Sequence, residues 1–275
     1  MSKNYLTYPC KVMNITQGYT ESYTHSQHNA GSPKDYPWDE ACSGSGRDWM
    51  YCPCDEIKVM RIVGVGNGYT NTIWLQSTSK ALFADGTSDY FTMLITHPND
   101  DDLKKIKSGQ LFTRGQQICR EGTDGQATGN HFHFSAGKGK YKGNGWVENS
   151  KGKWVLTCSV SAFEPEELFY IDPLFTEIRN SKGLNFKKLP DYKLGKYVVD
   201  TELLRIRKGP GTEYAYKKFN KLSKKAQKVI KKLTGGKEAD GYVKGQEFTV
   251  YRIKNERWGY NASGWMCLDY CKRKG

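Results

Sequence analysis

Apolar residues in the first two thirds of the chain occur in short runs separated by polar residues, with Gly, Asn, Asp or Ser at their ends. Three runs, at residues 57–65, 71–77 and 90–96, are rich in β-branched and aromatic side chains. This length and composition are typical of β-strands. Residues 138–153 are rich in Gly, Lys and Asn, which predicts a long loop or a loose hairpin. We therefore expect a mainly β fold.

A polar segment with Gly and Pro interrupts this pattern at residues 180–196 and predicts a boundary. We expect one domain over residues 1–180, a linker over 181–196 and a second domain over 197–275. Short strand candidates continue after the linker, at residues 197–199, 203–207, 247–253, 258–261 and 265–267.

One helix is predicted in the second domain. Ser223 can cap its start, and Gly235 and Gly236 can end it. Ala226, Val229, Ile230 and Leu233 fall on one face, and lysines cover the other. A basic amphipathic helix can lie on a membrane. Four apolar positions over about three turns also suffice to pack on a small barrel, and we favour that interpretation.

Charge separates the two halves more clearly than composition does. The 275 residues include 42 Lys and Arg against 29 Asp and Glu, a net charge of +13. Residues 190–275 hold 21 basic and nine acidic side chains, so they account for +12. This imbalance predicts an anionic partner, namely nucleic acid, a membrane surface or an anionic wall polymer, unless it merely keeps a surface solvated.

Hydrophobic runs, the N-terminal stretch and the cysteines bear on where in the cell the protein is found. No apolar run approaches the roughly 18–20 residues that span a bilayer, which argues against membrane insertion. The N-terminal stretch has no apolar segment after Lys3, so we expect no ordinary secretory signal. The eight cysteines are expected to be mostly free thiols in a reducing cytosol. The pairs Cys52/Cys54 and Cys267/Cys271 have poor zinc spacings and are expected to be plain buried thiols.

Histidines carry the candidate chemistry. His131 and His133 flank Phe132, and alternate residues of a strand point to the same side, so both imidazoles are expected to face one cavity. Such a pair suits one metal ligand and one proton-transfer or oxyanion-stabilising group. His97 ends an apolar run just before Pro98, where site residues often project, although it can also be a hydrogen-bonded strand-end histidine.

A zinc site needs three protein ligands and an open fourth position. His133 would be one ligand, and residues 26–40 can supply a second imidazole from His28 and a carboxylate. Asp39 is favoured as the carboxylate because Trp38 precedes it, as at the start of a buried strand. Asp35 stays the alternative, although it precedes Tyr36 and Pro37 and resembles a turn residue. His25 is expected to be exposed.

Several segments match a known family. Residues 125–134 (GQATGNHFHF), residues 107–118 (KSGQLFTRGQQI) and residues 15–19 (ITQGY) resemble the signature strand, the hairpin and the lead-in segment of lysostaphin-like zinc metallopeptidases, which cut peptidoglycan peptides. The resemblance implies an antiparallel-sheet domain with one Zn²⁺ per chain. It implies that His28, Asp39 and His133 are the metal ligands, and that His97 and His131 are catalytic. The family's usual spacing of three residues between its first His and Asp is not kept here.

The C-terminal segments 203–214 (LLRIRKGPGTEY) and 243–250 (VKGQEFTV) resemble bacterial SH3-like cell-wall-binding domains. The predicted lysine-rich helix would be an insertion in that barrel. A peptidase followed by a wall-binding module resembles a phage or prophage endolysin. The resemblance thus implies a zinc endopeptidase acting on Gram-positive peptidoglycan, made in the host cytoplasm and released to the wall, with anionic wall polymers as further candidate partners.

Two other functions compete with this one. A non-catalytic wall-binding or regulatory protein could use the same fold, but all the required histidines are present, which favours the enzyme. A nucleic-acid-binding protein is suggested by charge alone, and the lack of a recognisable nucleic-acid motif counts against it.

Overall fold

The computed structural model describes residues 4–43, 46–65, 70–143, 145–157, 160–255 and 257–274. The chain divides into two compact units, the first covering Asn4–Leu189 and the second beginning at Pro190. Strands in mostly antiparallel sheets dominate the described residues, which confirms the mainly β class. None of the helices described is both long enough and apolar enough to cross a membrane.

The first unit is a large sheet with small two-stranded additions. Its strands are β1 (Val12–Gln17), β2 (Trp38–Glu40), β3 (Trp49–Tyr51), β4 (Glu56–Val63), β5 (Thr72–Ser77), β6 (Ala81–Leu82), β7 (Ser88–Asp89), β8 (Phe91–Thr96), β9 (Leu111–Thr113), β10 (Gln117–Arg120), β11 (Phe132–Lys138), β12 (Trp146–Glu148), β13 (Trp154–Leu156), β14 (Ser161–Ala162) and β15 (Glu177–Asn180). Three short helices join them: α1 (Tyr23–Asn29), α2 (Asp100–Leu103) and α3 (Pro165–Leu168).

The three strong β patterns of the sequence form neighbouring strands. The main sheet has the order β15-β1-β2-β11-β8-β5-β4-β9, and β14 also pairs with β11. Only the β1–β15 pair in this order is parallel. The strands β4, β5 and β8 correspond to the predicted runs. Their apolar side chains build the core of the unit, together with Trp38, Phe132 and Phe134.

The register of β11 determines where the site forms. It pairs with β2 on one side and with β8 on the other, so that His133 lies opposite both Asp39 and Thr96. His97 follows Thr96 directly at the end of β8. Side chains from three separate parts of the sequence are thereby brought to one end of the sheet.

The predicted linker is in part packed structure. Phe186 is buried in the core of the first unit, and the Leu189 amide donates a hydrogen bond of 2.7 Å to the carbonyl of Ile171. Tyr192 packs against the core of the second unit. The segment therefore belongs to the two units on either side of Pro190.

The second unit has small sheets around its own core. Its strands are β16 (Gly195–Val199), β17 (Leu203–Leu204), β18 (Tyr242–Val243), β19 (Glu247–Val250), β20 (Arg252–Lys254), β21 (Trp258–Asn261), β22 (Gly264–Cys267) and β23 (Cys271–Arg273). They form the sheets β19-β16-β23, β17-β18 and β20-β21-β22. Short 3₁₀ turns occupy Phe219–Lys221 and Leu268–Tyr270.

The predicted helix of this unit is confirmed as α4 (Lys224–Leu233). The Ser223 side chain caps it by accepting a hydrogen bond from the Ala226 amide. Ala226 and Ile230 are buried, but Leu233 is 47% exposed, so the packed face is narrower than the sequence suggests. Burial of this face in the second core supports the packing interpretation of the helix.

The cysteines of the described residues are free. Cys10, Cys42, Cys52, Cys54, Cys119 and Cys267 are buried, and Cys271 is partly buried. Cys158 lies outside the described residues.

Candidate metal centre and cleft

All five histidines line one cleft of the first unit, whose volume is about 930 Å³. The sequence interpretation that His131 and His133 face a common cavity is therefore confirmed. His25 and His28 come from α1, His97 follows β8, and His131 and His133 flank the start of β11. The cleft is completed by the hairpin of β12 and β13.

Three side chains at this cleft could hold a metal ion. His133 Nδ1 lies 2.9 Å from Asp39 Oδ1, and His25 Nε2 lies 3.6 Å from Asp39 Oδ2. Donor atoms of the three residues all lie within 4.8 Å of one another. Two donors on a tetrahedral zinc ion at its usual bond lengths are about 3.4 Å apart. The spacing and the two-imidazole, one-carboxylate donor set therefore fit zinc.

The protonation states of His25 and Asp39 also suit a metal. Burial and the neighbouring His133 lower the pKa of His25 to about 4, so its imidazole is neutral at pH 7 and offers a lone pair. Burial alone would raise the pKa of Asp39, but the hydrogen bond and charge of His133 outweigh it, and the pKa is lowered. Asp39 is thus an ionised carboxylate in a largely buried position.

The structure differs from the sequence expectation in the first histidine. His25, expected to be exposed, is only 3% exposed and belongs to the donor group. The ring centroid of His28 lies 6.3 Å from that of His25 and 6.4 Å from that of His133, and His28 is outside the group. The two residues are three apart on α1 and share a helix face, so spacing alone could not separate them.

Asp35, the alternative carboxylate, has a different role. It is fully buried, and its Oδ2 accepts hydrogen bonds from Ser135 Oγ at 2.9 Å and from the Leu156 amide at 3.1 Å. Burial raises the pKa of this carboxyl group despite those bonds. Asp35 therefore connects β11 to the hairpin strand β13, and it is not part of the donor group.

His97 and His131 form a second pair, with ring centroids 4.7 Å apart. His97 Nδ1 lies 2.5 Å from the carbonyl oxygen of Asp124, and His131 Nδ1 lies 2.9 Å from that of Gly129. A carbonyl oxygen can only accept, so each Nδ1 must carry a proton, and Nε2 is the nitrogen that keeps the lone pair when the ring is neutral. Burial lowers the pKa of His97 to about 4, which keeps that ring neutral.

The backbone at His97 is unusual. Its φ of +68° lies in the left-handed region, which is costly for a residue with a side chain. The His97 amide donates to the Asn71 carbonyl at 3.0 Å, and the Asn71 amide donates to Asp124 Oδ2 at 2.9 Å. These bonds hold the residue in this conformation and aim its ring at the loop that precedes His131.

The sequence predicts a long loop or loose hairpin at residues 138–153, but it does not indicate that this segment lines the cleft. Trp146, Lys153 and Trp154 line the cleft from the hairpin of β12 and β13. The only local signal was the presence of two tryptophans in an otherwise polar and Gly-rich segment.

Comparison with known proteins gives partial similarities. No protein-family profile matches the chain. Over 145 residues it is 31% identical to "Morphogenesis protein 1" of Bacillus phage B103, an alignment that covers 51% of this chain and 34% of the relative. The chain thus spans about a third of the length of this phage protein.

Among solved structures, a zinc-containing peptidase of Vibrio cholerae is similar with a TM-score of 0.33 and 23% identity, over 49% of this chain and 37% of the peptidase. Lysostaphin in its NMR solution structure is similar with a TM-score of 0.35 and 12% identity, over 97% of this chain and 91% of lysostaphin. The antimicrobial peptidase lysostaphin of Staphylococcus simulans gives the same TM-score and identity, over 97% and 92%.

Proposed function

We propose that the first unit is a zinc endopeptidase that hydrolyses peptide bonds of bacterial peptidoglycan. The observation that carries the proposal is the donor group of His25, Asp39 and His133 beside the His97–His131 pair in one cleft. The sequence resemblance to lysostaphin-like peptidases names the substrate. His25 replaces His28 as the first ligand in this proposal, because its nitrogen lies next to Asp39.

The five side chains would have two kinds of role, metal binding and proton transfer. His25, Asp39 and His133 would hold the zinc ion, which lowers the pKa of a water molecule and polarises a carbonyl group. In His97 and His131 the Nδ1 proton is donated to a backbone carbonyl, which leaves Nε2 as the nitrogen that can take up a proton. Either ring can therefore accept the proton of the attacking water and later return it to the leaving amine. The other, once protonated, can donate a hydrogen bond to the developing oxyanion.

The test is digestion of purified peptidoglycan by the full chain, with and without a zinc chelator, followed by mass analysis of the fragments. We expect new amino termini that appear only with metal, and about one zinc ion per chain. Bound zinc without any new amino terminus would instead support a non-catalytic wall-binding protein on the same fold.

For the second unit, we propose an SH3-like wall-binding role. Its separate core, its small antiparallel sheets and its excess of basic residues support this assignment. Pull-down with cell walls before and after removal of their anionic polymers tests this role. Retention that is the same on both wall preparations and falls only when DNA is added would favour nucleic acid as the partner.

The biological setting has two candidates. An endolysin would open the host wall at the end of infection, as the combination of peptidase and wall-binding module suggests. The phage relative named for morphogenesis favours a second setting, in which the peptidase belongs to the virus particle. Detection of the protein in purified particles by mass spectrometry would support the second setting, and its absence there the first.

A further inference from the structure

The hairpin of β12 and β13 forms one wall of the cleft. Trp146 and Gly152 line the cleft from it, together with Lys153 and Trp154. Trp154 is 60% exposed, which is unusual for an indole. A large exposed aromatic ring beside a candidate active site is typical of a surface that contacts a ligand.

The hairpin is fastened to the helix that carries His25. Asn149, which is buried in its turn, donates from Nδ2 to the carbonyls of Gln27 at 3.4 Å and His28 at 3.3 Å. Its Oδ1 accepts from the Lys153 amide at 3.0 Å. A Cβ at Gly31 would lie 1.8 Å from Asn149 Nδ2, so this position must be glycine for the turn to dock. The hydrogen bonds of Asn149 thus fix the turn, including the backbone of Lys153, relative to α1.

The two formal charges that line the cleft are not paired with each other. Of the described residues that line it, Asp39 and Lys153 alone bear a carboxylate or an ammonium group. Asp39 is engaged by the two histidines of the donor group. Within the described part of the chain, Lys153 has no carboxylate at ion-pair distance.

We propose that Lys153 and Trp154 are the specificity determinants of the cleft, and that they select peptides bearing a free carboxylate near the scissile bond. Lys153 pairs with the carboxylate, and the indole of Trp154 covers the adjoining apolar part of the peptide. This inference rests on the proposed peptidase function. It names the substrate class as acidic stem peptides, in contrast to uncharged glycine bridges.

The test compares two forms of one substrate. Soluble cross-linked stem peptides are prepared from peptidoglycan, and half of the sample has its carboxylates converted to carboxamides. Binding to the zinc-loaded full chain is followed by tryptophan fluorescence, and hydrolysis is followed by release of amino groups. We expect the carboxylate form to bind about tenfold more tightly than the carboxamide form, as one charge-assisted contact implies.

Three variants separate this role from a structural one. Lys153→Met should remove the preference by raising KM for the carboxylate form, with kcat unchanged. Lys153→Glu should reverse the preference. Lys151→Met, an exposed lysine of the same turn that does not line the cleft, is the matched control and should behave like the wild type.

The two proposals fail in different ways. Equal binding and equal hydrolysis of the two forms by the wild type would overturn the carboxylate preference and leave the peptidase intact. A preference in binding that Lys153→Met abolishes, without hydrolysis of either form, would support the recognition site and refute the peptidase. Unchanged preference in Lys153→Met would also overturn the inference.

Discussion

The identity of the first zinc ligand is the sharpest prediction of the structure. His25 and His28 lie on one face of α1, and both are buried. The His25 nitrogen is 3.6 Å from the Asp39 carboxylate, whereas the His28 ring is more than 6 Å from both other imidazoles. Replacing His25 with alanine should therefore remove a ligand, and replacing His28 should not.

The size of the effect follows from the coordination. Mutations of residues that merely support a ligand typically weaken metal binding by about 10–100-fold. Loss of one of three ligands should cost at least about 100-fold. At a zinc concentration well above both dissociation constants, this removes about 2.7 kcal/mol of the stabilisation that zinc confers. For a unit of this size, that corresponds to roughly 5–11 °C in the zinc-induced shift of Tm.

The assay is thermal unfolding of the wild type, His25→Ala and His28→Ala, each with excess zinc and with a chelator. The chelator melts give the baseline stability of each variant, so a general loss of folding is separated from a loss of metal. Competition with a coloured chelator gives the dissociation constants directly. An equal zinc shift in His25→Ala and the wild type, or a larger loss in His28→Ala, would refute the assignment.

Three further predictions can be checked on the same protein. His131→Ala should keep zinc stoichiometry and lower kcat by about 10²–10⁴, as measured by amino-group release, and full activity would remove His131 from the site. Asp102→Ala should destabilise the first unit by about 2 kcal/mol in urea, because Asp102 accepts two side-chain bonds of 2.8 Å from Arg120, whose side chain is 36% exposed. Since Arg120 lowers the pKa of Asp102, this contribution should be complete above about pH 4 and lost as pH falls further, and a pH-independent difference would contradict it. Ile230→Ala should cost the second unit about 2–4 kcal/mol, whereas the half-exposed Leu233→Ala should cost under about 1 kcal/mol, and equal losses would be the contrary result.

Local patterns were sufficient for much of the fold. Runs of β-branched and aromatic residues predicted β4, β5 and β8, and the two-residue period of a strand predicted that His131 and His133 lie on one side. The capping serine and the apolar face predicted α4. Each of these signals lies within a few residues of the structure that it specifies.

Long-range contacts account for what the sequence could not predict. The helix α1 has seven residues, too few for a periodic pattern to show which imidazole meets Asp39. Asp35 has its partners at Ser135 and Leu156, 100 and 121 residues away, and its burial could not be inferred from the turn-like segment around it. The same holds for Asn149, whose contacts with α1 turn a polar stretch into a wall of the cleft.

The close packing of Asn149 against Gly31 and the end of α1 couples ligand binding in the cleft to metal binding. Because Asn149 is hydrogen-bonded to α1, the helix that carries His25, a ligand that displaces the β12–β13 hairpin also displaces His25. Coupling between two binding sites is reciprocal. A peptide that strengthens the contact between the turn and α1 raises the affinity for the ion, and the ion raises the affinity for the peptide by the same factor. In Gly31→Ala, the added Cβ would clash with Asn149 and separate the turn from α1. The metal ion and the cleft ligand would then bind independently of each other.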